Sequence, residues 1–183
     1  MTQRSDPTLD AAIRVVARYG MRRATMADVA REAGVSRQTL YDRFGDKDGV
    51  MAAAIRGMGA RICQDTRAAF ADADDLGDRI DAYFRIAVWP VFDIIETLPD
   101  AADLEQGMGP ASHTASCETE VEKQALLTEM LRDALPPSAP PAQDVAAFLE
   151  QASSRAKMSG LPREELARFL SVLRAAVLAM ARP

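Results

Sequence analysis

Residues 33–50 read AGVSRQTLYDRFGDKDGV, and the fold turns on how they are read. In this short span the chain sets a glycine turn at Gly34, a polar segment with Arg37 and Arg43, a second glycine at Gly45 and Lys47 at the next helix start. Ser36 suits a helix N-cap, because its hydroxyl can accept from an amide of the first turn, and Phe44 and Gly45 end that helix after about two turns. Working upstream, Thr25 and Asp28 have capping-box spacing, with Asp in place of the usual Glu or Gln. Val29, Ala30 and Ala33 then supply the buried side of a helix that stops at Gly34. Earlier still, Asp6 and Pro7 open a helix that carries Leu9, Ile13 and Val16 inward and ends at Gly20. Helix, glycine turn, short helix is the order of a helix-turn-helix, whose second helix enters the DNA major groove.

The side chains suit that placement. Arg37 can pair with guanine and Gln38 with adenine, and Thr39 can touch a thymine methyl. Val35, Leu40 and Phe44 point back to hold the helix on Val29 and Val16. Tyr41 offers a hydroxyl to phosphate, and Lys47 stands where backbone amides and an ammonium together attract a phosphate oxygen. Asp42 either accepts from a cytosine amine or turns away from phosphate. Similar packing occurs in domains that bind no DNA, so geometry alone leaves a helical small-molecule-binding or protein-interaction module open as an alternative.

The net charge of −5 hides an asymmetry: residues 1–56 sum to +3 and residues 57–183 to −8. A weakly basic head on an acidic body suits a small nucleic-acid reader attached to something that does not touch nucleic acid. At 48% hydrophobic residues the chain can bury a core, and wholesale disorder is excluded. No run is apolar enough to span a bilayer, and MTQRSDPTLD at the start holds no apolar signal core, so a cytoplasmic protein with no membrane partner is expected. Cys63, Cys117 and His113 lack metal-ligand or disulfide spacing, which predicts no metal and reduced thiols. Neither a Ser/His/Asp order nor paired catalytic carboxylates stand out, so no catalytic residue, no cofactor and no enzyme activity is expected.

Beyond residue 46 the pattern stays helical, giving an all-α chain of about nine helices. Asp46 can cap a helix from Lys47 to about Ala71, with Gly57 and Gly59 as a soft point. Residues 76–98 are amphipathic, and Pro90 predicts a kink near Ile86. A short helix near 100–106, a loop over 107–116 that includes His113, and a helix over 117–135 follow. LPPSAPPAQ must be a connector, and SGLP joins the last two helices, 142–158 and 163–181. Their apolar positions Phe148, Leu149, Ala152, Leu166, Phe169, Leu170, Leu173 and Val177 form faces wide enough to pack inward or against an identical pair with two-fold symmetry.

The stretch at 33–50, preceded by TMADVARE and by a helix ending in ARYG, resembles the N-terminal domain of TetR-family transcriptional regulators over residues 9–55. The resemblance implies that Thr25, Tyr41 and Lys47 contact or position the DNA backbone and that Arg37, Gln38, Thr39 and Arg43 face the groove, with Ser36 at the helix start. It implies a DNA-reading domain at 1–46 and a helical ligand-binding and dimerisation domain at 47–183. It further implies a repressor that binds a palindromic operator in double-stranded DNA as a homodimer through the last two helices, released when a small-molecule effector moves the fourth helix. Tyr83, Phe84, Trp89, Phe92, Met108 and Met130 are the candidate lining of the effector cavity. Two departures stand out: Val16 where the family often has phenylalanine, and Gly49 and Val50 where an acidic residue and leucine are usual, which predicts a looser start to the fourth helix.

Overall fold

A computed structural model describes residues 6–98 and 102–182. These residues form helices and no strand: α1 Pro7–Tyr19, α2 Met26–Ala33, α3 Arg37–Phe44 and α4 Lys47–Ala71 come first. Next is α5, a continuous run made of Leu76–Tyr83, a π-helical turn Phe84–Val88 and Trp89–Glu96. Then come α6 Ala102–Gln106, α7 Pro110–Arg132, α8 Ala142–Met158 and α9 Arg163–Met180. The chain divides into two compact units, one holding residues up to Ala60 together with Ile94–Thr119, the other Arg61–Asp93 together with Glu120 onward.

In the first unit, local signals set the helix ends. Asp6 accepts from the Thr8 amide at 2.9 Å ahead of Pro7, and Thr25 and Ser36 cap α2 and α3 through their hydroxyls. Gly34 ends α2 in the left-handed conformation, φ 68°, which a Cβ would disfavour. Val15, Val29, Leu40 and Val50 are fully enclosed in one apolar cluster that fastens α1 to α4. The fourth helix starts firmly rather than loosely: Asp46 Oδ1 accepts from the Gly49 amide at 2.8 Å, and Val50 is buried. It also runs unbroken through Gly57 and Gly59.

The second unit has its own core, in which Ile80, Val88, Leu127, Leu131, Leu149, Leu166 and Val177 are enclosed. Near Ile86, where Pro90 predicts a kink, the helix carries a π turn, Phe84–Val88. The Trp89 amide donates to the Phe84 carbonyl, five residues back, and this π turn takes up the donor that proline lacks and the crowding it causes.

One boundary was misjudged from sequence. Residues 110–116, expected as loop, open α7, with Pro110 in the first-turn position that proline favours, and the helix ends at Arg132 rather than 135. His113 is therefore helical and exposed, with Nδ1 3.8 Å from Cys117 Sγ one turn on.

Candidate nucleic-acid interface and effector core

Helix α3 offers its outer face to solvent. Ser36 Oγ accepts from the Thr39 amide at 3.0 Å and lies 2.8 Å from Thr39 Oγ1, while Leu40 is fully buried and anchors the inner face. Arg37, Gln38, Thr39, Tyr41 and Asp42 all stand exposed on this short helix. Gln38 Nε2 donates to Asp42 Oδ1 at 2.7 Å, which turns Asp42 along the helix and holds the glutamine amide in one orientation. Arg37 and Tyr41, one turn apart, carry no such tie among the described hydrogen bonds of this helix.

Arg43 and Lys47 are occupied within the unit. Arg43 forms an ion pair with Asp6, donates to Thr8 Oγ1 at 3.2 Å and lies over the Phe44 ring at 4.7 Å. Burial raises the Asp6 pKa, but the Thr8 amide and the Arg43 guanidinium outweigh it and hold the carboxyl below its usual range. Lys47 Nζ donates to the Met21 carbonyl at 3.1 Å and the Arg22 carbonyl at 3.3 Å, so it clamps the turn between α1 and α2 onto the start of α4. Thr25 caps α2, its Oγ1 accepting from the Asp28 amide at 3.2 Å and donating to Asp28 Oδ2 at 2.6 Å. The surface thus offers a group of exposed polar side chains on α3, beside Thr25, Arg43 and Lys47, whose bonds hold the first unit's helices together.

The six candidate effector contacts do not fall together. Tyr83, Phe84, Phe92 and Met130 are buried in the second unit's core, with Trp89 half-buried against it. Trp89 and Phe92 meet edge to face, with centroids 5.8 Å apart. Met108 packs instead against the core of the first unit, near α6, because the α7 start brings residues 107–109 there.

The candidate dimer residues divide in the same way. Leu149, Leu166, Leu170, Leu173 and Val177 are sealed in the second unit's own core and Ala152 is half-buried. Phe148 and Phe169 are exposed, and Val172 joins them. A periodic pattern cannot tell which part of a wide apolar face is used within the protomer.

Sequence reasoning missed a charged cluster buried in the second unit. Lys123 on α7 and Glu150 and Lys157 on α8 are 6%, 2% and 8% exposed. Lys123 Nζ meets Glu150 Oε1 at 2.6 Å, Ser154 Oγ donates to the same oxygen at 2.7 Å, and Lys157 Nζ donates to Ser154 Oγ at 3.3 Å. The signal was present: Glu150 and Lys157 are seven residues apart, in register with Ala146 and Ser153 on the apolar face of α8.

The described residues thus set a helix-turn-helix head ahead of an all-helical body. Residues 9–54, about a quarter of the chain, match the family described as bacterial regulatory proteins, tetR family. The BetI HTH-type transcriptional regulators of Rhizobium meliloti and Agrobacterium fabrum are 34% and 32% identical over 79 residues, 43% of this chain. The matched stretch spans only 39% and 38% of those relatives' length. Among solved structures, a transcriptional regulator from Rhodococcus sp. Rha1 superposes with a TM-score of 0.74 at 18% identity, covering 97% of each chain. The fatty acid degradation regulator FadR from Bacillus halodurans gives 0.71 at 18% identity over 98% of this chain and 100% of its own. These likenesses extend the common fold through the body.

Proposed function

We propose that this chain is a ligand-responsive repressor that binds a palindromic operator as a homodimer and is released by a small molecule. The observation that carries this reading is the exposed row Arg37, Gln38, Thr39 and Tyr41 on a helix fixed from behind by Leu40. Residues 1–46 act as the DNA reader and 47–183 as the effector and dimerisation domain, with no catalytic role. The exposed Phe148, Phe169 and Val172 on α8 and α9 supply the pairing surface, and the aromatic core around Tyr83, Phe84, Trp89 and Phe92 the effector region. Helix α4, which begins among the DNA-reading helices and continues into the second unit, carries the signal. A ligand shifts the dimer only through its preference for one of the two states. No helix among the described residues is long and apolar enough to cross a membrane, which is consistent with a cytoplasmic site of action.

Fluorescence anisotropy against random-sequence and self-selected palindromic duplexes at two salt concentrations tests the reading. Tight, sequence-selective binding that weakens steeply with salt is the expected result. Equal binding of all duplexes by a folded dimer, or unchanged binding by Arg37→Ala and Tyr41→Phe, overturns it.

A further inference from the structure

The buried charges of the second unit do not balance. Lys123 and Glu150 neutralise each other, and Ser154 joins the pair by accepting from both lysines and donating to the glutamate. Lys157 is left with a neutral hydroxyl at 3.3 Å and, among the described residues, no carboxylate within ion-pair reach. An ammonium enclosed without a counter-charge is unfavourable unless it sheds its proton or gains an anion. Burial, and then the neighbouring Lys123, push the Lys157 amine down to about 7, against the opposing pull of Glu150 and Glu120. The other titratable groups of this neighbourhood are Glu122 on α7, Tyr83 on α5, and Cys63 and Arg67 on α4. On α4, one turn beyond Cys63, the Thr66 hydroxyl is enclosed with no hydrogen-bond partner. Around these polar groups the core is apolar, with Leu127, Ala146 and Leu149 fully enclosed.

We propose that the second unit binds an organic anion, a carboxylate with an apolar tail, whose charged end is received by Lys157 beside Lys123 and Ser154. This names the chemical class of effector for the repressor reading above and rests on it for its regulatory meaning, though not for the binding itself. The carboxylate supplies the acceptor and counter-charge that Lys157 lacks, and the tail replaces core contacts. An amine poised near neutrality then takes up a proton as the anion enters, so affinity falls as pH rises above neutrality. Neutral and cationic compounds of the same shape gain nothing from the site. A lysine near the C-terminal end of α8 is also favoured by the helix dipole, and that alone would require no ligand.

The test is calorimetry on the DNA-free protein with hexanoate and benzoate, set against hexanol, benzyl alcohol and hexylammonium, in buffers of differing ionisation enthalpy on both sides of neutrality. The carboxylates should bind at least about tenfold more tightly than the alcohols, equivalent to about 1.4 kcal/mol, with proton uptake above neutral pH. Lys157→Met, folded by circular dichroism, should lose both preference and proton uptake. Lys157→Arg, which keeps the charge without titrating, should retain the preference and lose the uptake, and it serves if the methionine variant does not fold. The proposal is overturned if neither carboxylate binds, if alcohols bind as well, or if Lys157→Met binds hexanoate like the parent. Operator binding on the same preparations separates the two ideas. DNA binding without any carboxylate response sinks this proposal alone, and carboxylate binding without DNA recognition sinks the repressor reading alone.

Discussion

The Asp48 carboxylate, in the first turn of α4, caps α7 by accepting the Ser112 amide at 3.0 Å, 64 residues away in the chain. The same side chain takes the Ala111 amide at 2.8 Å and the Ser112 hydroxyl, so the amides that open α7 are met from another helix. Asp48→Ala should therefore cost about 1–2 kcal/mol, the usual loss for an N-cap. Ser112→Ala, which leaves both amides satisfied, should cost less. Burial raises the Asp48 pKa, but the Ser112 hydroxyl and the Ala111 and Ser112 amides outweigh it and hold the group below the ordinary carboxylate range. Its folded-state pKa is depressed, so this stabilisation is complete above the unfolded value and fades as pH falls below it. Urea titrations of both variants at neutral and acid pH check the order, and equal stabilities at neutral pH would remove the cap.

That contact also explains what was legible in the sequence. Helices α1 to α4 were readable because each cap lies within three residues of the amide it serves: Asp6, Thr25, Ser36 and Asp46. The start of α7 was not readable, since its carboxylate cap sits in α4 and no local Ser, Thr or Asp marks Pro110. The exposed α3 face followed from residue type and spacing. The duties of Arg43 and Lys47 within the unit did not, because a basic side chain near DNA-reading residues looks the same whether it meets a phosphate or a carbonyl. Lys123 and Lys157 were hidden by the general rule that lysine is solvated, which fails for Lys123 because Glu150 pairs with it inside the core and for Lys157 because Ser154 accepts from it there.

Gly49 tests a different contact. A Cβ there would drive into the Phe44 backbone carbonyl. Helix propensity favours alanine over glycine by about 1 kcal/mol, but a clash with main chain forces the α3–α4 turn to move and costs typically about 1–3 kcal/mol. Gly49→Ala should thus be neutral to destabilising and should weaken DNA binding by shifting α3. Thermal unfolding beside operator titration reads both, and a clear gain in stability would show that the turn has room.

Arg37 and Lys47 should separate recognition from scaffolding. Arg37 is exposed and caps no helix among the described residues, so Arg37→Ala should leave stability within about 0.5 kcal/mol. The same variant should lose about 1–3 kcal/mol of discrimination at one operator position. Lys47→Met removes the donor to the Met21 and Arg22 carbonyls and should cost about 1 kcal/mol or more of stability along with DNA affinity. Chemical denaturation and operator mutagenesis distinguish the patterns. Stability loss in Arg37→Ala, or none in Lys47→Met, would reverse the two roles.

Phe169 and Leu170 are neighbours on α9 that should answer to different states of the protein. Leu170 is 3% exposed and belongs to the protomer core, whereas Phe169 keeps 39% of its surface, with Phe148 at 45% on α8. Truncating the leucine leaves a cavity, so Leu170→Ala should lower stability by about 2–5 kcal/mol whatever the protein concentration. Phe169→Asp should spare the isolated protomer but put a charge into the face proposed to meet a second copy, where desolvation without a partner is costly. It should sediment as a folded monomer, and its operator affinity should fall because two half-sites are no longer held by one linked dimer. Sedimentation velocity and circular dichroism decide the matter: a folded dimer in both Phe169→Asp and Phe148→Asp would move the pairing surface off α8 and α9.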